Sequence, residues 1–229
     1  MTFVAIPVKD LRDAKRRLEV VLRPEERSLL CITMLKDVLK AVSMSKYVER
    51  IIIISCDESV LKLVRTMGAI ALDEEESGGL NSAVERIARF CLKDGAKSML
   101  VLPIDIPLVK SDDIDAMIRQ SFLPKSIVIA PSMDEKGTNA LLVSPPDIIK
   151  PRFGINSFKI HINEAIANKI HYIIYRSPRI ALDIDTPNDL INFLKLGKGT
   201  ETYDYILKNN LINRINEYFN RIHKPILKK

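Results

Sequence analysis

Two aspartates separated by one residue, Asp183 and Asp185, follow the apolar residues 180–182 and precede a helix start at Thr186 and Pro187. If the apolar residues form a strand, side chains two positions apart project to the same side, so the two carboxylates lie together. Two like charges at that distance require a cation, a proton or full solvation. The pair therefore indicates either a metal-binding site or two solvated surface acids at the end of a strand.

A third aspartate, Asp105, follows the apolar residues 99–102 in the same way. Two lysines, Lys9 and Lys15, follow the first apolar run of the chain, residues 3–6. Ammonium groups in such a place can hold nucleotide phosphates and stabilise a pyrophosphate leaving group. Acids and lysines after apolar runs therefore point to Mg²⁺ and phosphate chemistry. For the lysines, an exposed basic helix is the alternative.

Other nucleotide motifs are missing from the sequence. It contains neither G-x-G-x-x-G nor G-x-x-x-x-G-K-[ST], and only eight glycines in total. The sequence therefore gives no motif evidence for a dinucleotide-dependent oxidoreductase or for a P-loop protein. The pair Gly78–Gly79, followed by Asn81, can instead let the backbone approach a flat base, with the Asn81 amide as donor and acceptor. The alternative is that Asn81 caps a helix.

Two further loops carry groups that could bind an anion. Thr138 follows Gly137 and offers a hydroxyl to a phosphate or carboxylate. Gly154 and Ser157 precede a helix, whose N-terminal amides attract anions. For both loops the alternative to anion binding is an ordinary structural role, as a turn or as a helix cap. His161 lies one turn into the same helix, where a histidine is more often structural than catalytic.

Apolar runs alternate with helical patterns along most of the chain. Runs typical of strands occur at residues 3–6, 51–54, 69–72, 99–102, 127–130, 140–143, 172–174 and 180–182. Helical periodicity or start signals occur at residues 24–42, 58–67, 81–93, 158–169, and after 111 and 187. The alternation predicts a doubly wound α/β fold with one mostly parallel sheet and helices on both faces. Ligands of such sheets bind at the carboxyl ends of the strands.

Composition narrows the class of protein. The 229 residues are 47% hydrophobic and 28% charged, which suits one large domain and excludes a disordered chain. No apolar stretch is long enough for a membrane span, and the N-terminus does not read as a signal peptide. The three cysteines are far apart, odd in number and in apolar-periodic segments, so we expect reduced thiols in the core of a cytoplasmic protein with no membrane partner.

The C-terminal segment is expected to differ from the rest. We place a catalytic domain at residues 1–198 and a basic helical tail at residues 199–229. Of the formal net charge of +6, residues 198–229 supply +4, from seven Lys or Arg and three acids. Tyrosines among these charges make RNA contact conceivable, but an amphipathic helix is favoured, so no nucleic acid partner is predicted. Its apolar stripe needs a surface to cover it, which predicts a homodimer; packing of the stripe on its own domain is the alternative.

Six segments together resemble one known family. They are IPVKDLRDAKRRL, GGLNSAV, LPIDIPL, DEKGTNAL, FGINSF with His161, and LDIDTP, all between residues 6 and 187. The set is similar to that of the 2-phospho-L-lactate guanylyltransferases of coenzyme F420 biosynthesis. LPxDxPL alone is shared by many nucleotidyltransferases, but its combination with GTNAL and FGxxSF is much more specific. The resemblance spans the chain to about residue 196.

The resemblance implies a GT-A-like nucleotidyltransferase fold, with Mg²⁺ as cofactor and GTP as nucleotide. Asp105, Asp183 and Asp185 match the acids that hold the metal. Lys9 and Lys15 match the N-terminal lysines, for which we infer contact with the triphosphate. Lys9, Lys15 and Asp105 are thus the predicted catalytic residues and, with Gly79 and Asn81, the predicted nucleotide-binding set.

The second substrate implied is a small phosphorylated three-carbon acid, bound by Thr138, Gly154 and Ser157. Its phosphate is joined to GMP and pyrophosphate is released. Since a phosphate oxygen is already an anion, this reaction needs no general base. Phosphoenolpyruvate, 3-phosphoglycerate or a phosphosugar remain alternative substrates. An alternative of another class is a nucleotide-sensing module without catalysis, which the presence of all three acids disfavours.

Overall fold

Seven strands form one sheet in the part of the chain that the computed structural model describes, residues 1–74 and 78–222. They are β1 (Thr2–Pro7), β2 (Val48–Ser55), β3 (Ile70–Asp73), β4 (Ser98–Val101), β5 (Ser126–Pro131), β6 (Thr138–Ser144) and β7 (His171–Ile174). Their order is β3-β2-β1-β4-β6-β5-β7. Only β6 runs antiparallel to its neighbours β4 and β5 within these ranges. The predicted mostly parallel sheet is confirmed.

Helices cover both faces of the sheet. They are α1 (Pro24–Ser43), α2 (Glu58–Thr66), α3 (Leu80–Lys93), α4 (Ser111–Gln120), α5 (Ser157–Ala167), α6 (Pro178–Ala181), α7 (Pro187–Leu196), α8 (Glu201–Lys208) and α9 (Leu211–Ile222). Alternate residues of β1 enter two separate cores, Val4 on the α1 side and Phe3 on the α3 side. Burial on both faces explains why the strands are continuous apolar runs. None of the described helices is long and apolar enough to cross a membrane.

One predicted strand is wrong. Residues 180–182 do not pair with the sheet; Ile180 and Ala181 are the end of the short helix α6. Pro178 occupies the first turn of this helix, where its fixed φ is favourable and its missing N–H costs nothing. A run of three apolar residues directly after a proline start was too short to distinguish a strand from a helical turn. Asp183 and Asp185 therefore follow a helix.

The C-terminal segment packs on its own chain. Asp37 of α1 accepts hydrogen bonds from the backbone N–H and the hydroxyl of Thr202, at 2.9 and 2.6 Å, and so caps α8. Ile206 and Ile215 are buried in the core cluster that contains the inner face of α1. The apolar stripe is thus covered within the chain. The domain boundary stays a prediction, and residues 223–229 of the predicted tail lie outside the described residues.

The three cysteines are free thiols, but the expectation that all of them lie in the core is wrong for Cys56. Cys31 and Cys91 are buried and Cys56 is exposed. Burial raises the pKa of Cys31 to about 11 and that of Cys91 to about 12, so both remain protonated near neutral pH. These two residues act as small apolar groups in the core.

Candidate active site

A cavity of about 790 Å³ opens at the carboxyl ends of β1, β2 and β4. Five of the predicted site residues line it: Lys9, Lys15, Asp105, Thr138 and Asp185. These residues are spread over most of the chain, and the loops after the central strands bring them together. The position agrees with the rule that open α/β sheets bind ligands beyond the carboxyl ends of their strands.

Asp105, Asp183 and Asp185 form one acidic cluster, with one oxygen of each carboxylate within 4.8 Å of the others. The backbone N–H of Ile184 donates to the carbonyl oxygen of Asp105 at 2.9 Å, which ties the two acidic segments together. Ile184 itself is fully buried, so its two neighbours turn their side chains to the opposite side. The expected pairing of Asp183 with Asp185 is therefore present although the expected strand is not.

Asn139 holds Asp183 in place. Its side-chain nitrogen donates to Asp183 Oδ1 at 3.0 Å and to the carbonyl oxygen of Ile180 at 2.9 Å. Burial raises the pKa of Asp183, the hydrogen bond from Asn139 lowers it by less, and the charges of Asp105 and Asp185 add further raising, so the pKa lies above its ordinary value. Asn139 has no predicted role in the sequence analysis, although it stands next to Thr138 in the same motif. Alternation along β6 indicates only that Asn139 and Thr138 face opposite sides of the sheet, and the contact of Asn139 with Asp183, 44 residues away, has no local signal.

Lys15 lies between two of the three acids. Its ammonium donates to Asp105 Oδ2 at 2.6 Å and to Asp185 Oδ1 at 2.5 Å, and its side chain is 9% exposed. Burial alone lowers the pKa of Lys15, but the two carboxylates raise it above its ordinary value, so the ammonium stays charged. The ammonium thus occupies a place where the carboxylates bind a cation.

The basic segment that contains Lys15 is not a continuous helix, so that alternative is wrong. It consists of two short 3-10 turns, Leu11–Asp13 and Arg16–Leu18, joined through Lys15 at φ 52. A left-handed conformation in a non-glycine residue is costly and is held only where its surroundings determine it. The two ion pairs of Lys15 are the interactions that hold it there.

His161 is buried and orients Thr138. The backbone N–H of Arg152 donates to His161 Nε2 at 2.9 Å, so the neutral ring carries its proton on Nδ1. Nδ1–H therefore donates to Thr138 Oγ1, at 3.1 Å. The hydroxyl of Thr138 then has its own proton left to donate, and Thr138 lines the cavity. The structural role expected for His161 is thus one of aligning a hydrogen-bond donor.

We expect His161 to make stability depend on pH. Burial lowers the pKa of His161 from 6.5 to about 4. Between these values the unfolded chain binds more protons, so the free energy of unfolding falls as the pH drops from about 6.5 to 4. The loss is on the order of 2–3 kcal/mol. Urea denaturation of His161→Gln across this range should show a weaker pH dependence than the wild type. His171→Gln, at an exposed histidine, is the control. If the free energy of unfolding depends on pH as steeply in His161→Gln as in the wild type, His161 is not the group responsible.

Asn81 does not cap its helix, because the N-cap of α3 is Gly79, at φ 83. The Asn81 amide nitrogen donates to the Phe153 carbonyl at 3.1 Å, and its oxygen accepts from the Phe153 N–H at 2.8 Å. Both ends of the amide are therefore engaged by backbone, and binding of a base by Asn81 stays a prediction. Asn81 ties α3 to Phe153, which lines the cavity.

Gly154 and Ser157 belong to the loop and first turn that follow Phe153. Gly154 has φ 131, which only glycine adopts readily, and its carbonyl accepts from the N–H of Ser157 at 3.1 Å. Ser157 begins α5 and is 1% exposed. Their binding of the acid substrate stays a prediction.

The acidic cluster suits Mg²⁺, which prefers oxygen ligands and keeps several waters when proteins bind it. The cluster offers three carboxylates, and the Lys15 ammonium already lies as a cation between two of them. The donor set and its charge therefore fit the metal that the sequence analysis predicts.

Comparisons with known proteins show the family of this chain. The family model described as "Guanylyl transferase CofC like" matches residues 2–218. A phosphoenolpyruvate guanylyltransferase of Rubrobacter xylanophilus is 37% identical over 82% of this chain and 91% of its own. A 2-phospho-L-lactate guanylyltransferase of Methanothermobacter thermautotrophicus is 35% identical over 90% of each chain. A cytidylyltransferase structure from Leptospira borgpetersenii covers 100% of this chain and 99% of its own, with TM-score 0.58 and 13% identity, which shows the fold alone.

Proposed function

Because the chain belongs to the guanylyl transferase CofC like family, we propose that it transfers GMP from GTP to the phosphate of 2-phospho-L-lactate, in coenzyme F420 biosynthesis. Family membership makes it a nucleotidyltransferase. The observation that supports the proposal most is the cluster of Asp105, Asp183 and Asp185 with Lys15 at the edge of a 790 Å³ cavity. Carboxylates that can hold a metal ion, next to an ammonium that can stabilise phosphate charge, suit a metal-dependent transfer of a nucleotidyl group.

We assign different roles to the acidic and the basic residues of the site. Asp105, Asp183 and Asp185 would hold Mg²⁺, which when bound neutralises phosphate charge and orients the α-phosphate. Lys9 is exposed in the cavity and Lys15 lies at its acidic edge, so both can contact the triphosphate and the departing pyrophosphate. The attacking phosphate oxygen is already an anion, so the protein has to align it and does not have to remove a proton.

The acid substrate would bind near Thr138. The hydroxyl of Thr138 has a proton to donate because its oxygen accepts from His161. Gly154 and Ser157, at the start of α5, would add backbone and hydroxyl donors. A carboxylate and a phosphate on one small molecule match such a set of donors.

We expect purified protein with GTP, Mg²⁺ and 2-phospho-L-lactate to release pyrophosphate and form the GMP adduct of the acid. A coupled pyrophosphate assay and mass spectrometry of the product measure this. Omission of Mg²⁺ should abolish the signal. Turnover with a phosphosugar but not with phospholactate contradicts the proposal, and nucleotide binding without turnover of any acid indicates the sensing module.

Phosphoenolpyruvate is the second candidate acid, because three relatives of this chain that carry that name match it at 35% to 37% identity. The two acids differ little, and a small group in a pocket is discriminated by about 1–3 kcal/mol. Competition kinetics with phospholactate, phosphoenolpyruvate and 3-phosphoglycerate rank them by kcat/KM. A higher kcat/KM for phosphoenolpyruvate than for phospholactate would make phosphoenolpyruvate the proposed substrate, and the proposal of guanylyl transfer would stand.

Homodimer formation in the cytoplasm stays a prediction. The apolar stripe on which the dimer prediction rests packs against α1 through Ile206 and Ile215. A dimer therefore has to use another surface, of about 800 Å² per partner. Light scattering of the full chain is expected to give about twice the 25.9 kDa of one chain. A mass equal to that of one chain would exclude the dimer.

A further inference from the structure

Arg27 is a buried basic residue that the proposed mechanism does not use. It lies in the first turn of α1 and is 7% exposed. Among the described residues its guanidinium forms no ion pair with an acid, and its hydrogen-bond acceptors are two backbone carbonyls. A buried charge without a counter-ion is costly unless hydrogen bonds stabilise it. The two carbonyls therefore indicate what Arg27 holds.

The two carbonyls lie on either side of Lys15 in the basic segment. Arg27 Nε donates to the carbonyl oxygen of Ala14 at 3.2 Å, and Nη1 donates to that of Leu22 at 3.4 Å. Between them lie Lys15 and the second 3-10 turn, Arg16–Leu18. The Ala14 carbonyl and the N–H of Lys15 share one planar peptide unit. A donor that fixes this carbonyl therefore also orients the backbone that enters Lys15.

The start of α1 gives Arg27 a fixed base. Ser28 Oγ donates to the carbonyl oxygen of Leu11 at 3.0 Å, so two consecutive residues of the helix contact the basic segment. Tyr205 Oη donates to the carbonyl oxygen of Glu26 at 3.0 Å, which ties the same turn to α8. Because this turn is anchored on both sides, the place of the Arg27 guanidinium is set by the packing of α1.

We propose that Arg27 is a positioning residue, which holds the Ala14 carbonyl and with it the backbone of Lys15 in the conformation that the site requires. The ammonium of Lys15 is thereby kept between Asp105 and Asp185, in addition to the two ion pairs that hold its left-handed backbone at φ 52. The inference rests on the proposed function, in which Lys15 contacts the triphosphate. Arginine suits this task because its planar fork reaches two acceptors at once, whereas the ammonium of lysine is a single point charge.

Acetylation of Lys15 without metal and nucleotide, followed by mass spectrometry, tests the proposal on wild type and Arg27→Met. Methionine keeps an unbranched side chain and removes every donor. We expect Lys15 to react about tenfold to a hundredfold faster in the variant, relative to the exposed Lys93 of α3, because losing hydrogen bonds to a charged group eases local opening by about that factor. The kcat/KM for GTP should fall by about tenfold or more, whereas KM for the acid, bound near Thr138, should change little.

The control for a general loss of stability is Ile87→Val, a core change on α3 at the opposite face of the sheet, which should give wild-type labelling and turnover. If Lys15 in Arg27→Met reacts as slowly as in the wild type, or if Ile87→Val speeds its reaction equally, the positioning role is overturned. Arg27→Lys should be intermediate, and it takes the place of Arg27→Met if that variant does not fold. Wild-type labelling and kcat/KM in Arg27→Lys again overturn the role. Absence of turnover with any acid contradicts the proposed function, and the labelling still decides the role of Arg27.

Discussion

Replacing Asp105, Asp183 or Asp185 with Asn, one at a time, is expected to lower turnover about a hundredfold to a thousandfold, the usual cost of losing one group that stabilises transition-state charge. Each change keeps the shape of the side chain and removes one ligand charge from the acidic cluster. Because phosphoryl groups approach and leave as anions, weaker metal binding acts directly on the barrier. Turnover against Mg²⁺ concentration is the measurement.

The variants should differ in stability, because Asp183 and Asp105 have different neighbours in the cluster. Asp183→Asn is expected to raise the melting temperature slightly without metal, because burial and neighbouring acids raise the pKa of Asp183 and disfavour its charge. Asp105→Asn should lower it, because it removes one of the two partners of Lys15. Asp204→Asn, an exposed acid on α8, is the control. Wild-type turnover and Mg²⁺ dependence in all three site variants would show that the cluster is not the catalytic metal site.

Lys15→Met is expected to lower the free energy of unfolding by about 2–3 kcal/mol without divalent cations, and to reduce turnover steeply. Breaking a buried ion pair costs somewhat more than this, and the 42% exposure of Asp185 reduces the effect. The variant leaves the acids without the ammonium between them. Mg²⁺ should therefore stabilise the variant more than it stabilises the wild type.

The contrast between the two cavity lysines makes this prediction specific. Lys9→Met changes an exposed lysine of the same cavity and should alter stability little while still weakening GTP binding. Thermal melting with and without Mg²⁺ compares the two variants, and steady-state kinetics give the loss of turnover. Equal Mg²⁺ stabilisation of Lys15→Met and wild type would show that the ammonium and the metal do not share a site.

Local patterns in the sequence determined most of the fold. The first helix was predicted at residues 24–42 and is Pro24–Ser43, because its apolar period of 3.6 extends over several turns. The cap at Thr186 and Pro187 was also predicted, and Asp189 completes it by accepting from the Thr186 N–H at 2.7 Å. Both depend on residues within a few positions of one another, which is the range over which a sequence pattern is directly legible.

In the candidate site, too, residue types were predictable from the sequence and contacts between distant residues were not. The acids Asp105 and Asp185 and the basic segment were identified from residue type and position after apolar runs. The pairing of Lys15 with Asp105 and Asp185 was not predicted, because it joins positions 90 and 170 residues apart. Asn139 and its contact with Asp183 were missed for the same reason.

By itself, then, the sequence determined the alternation of strands and helices, the helix ends and the residue types available for phosphate chemistry, all of which depend on near neighbours in the chain. Tertiary structure decided which of these groups meet. It engaged both ends of the Asn81 amide with Phe153 and aligned Thr138 through His161. Contacts of this kind arise from strand order and helix packing, and the physical reason they escape a sequence pattern is that no local period encodes them.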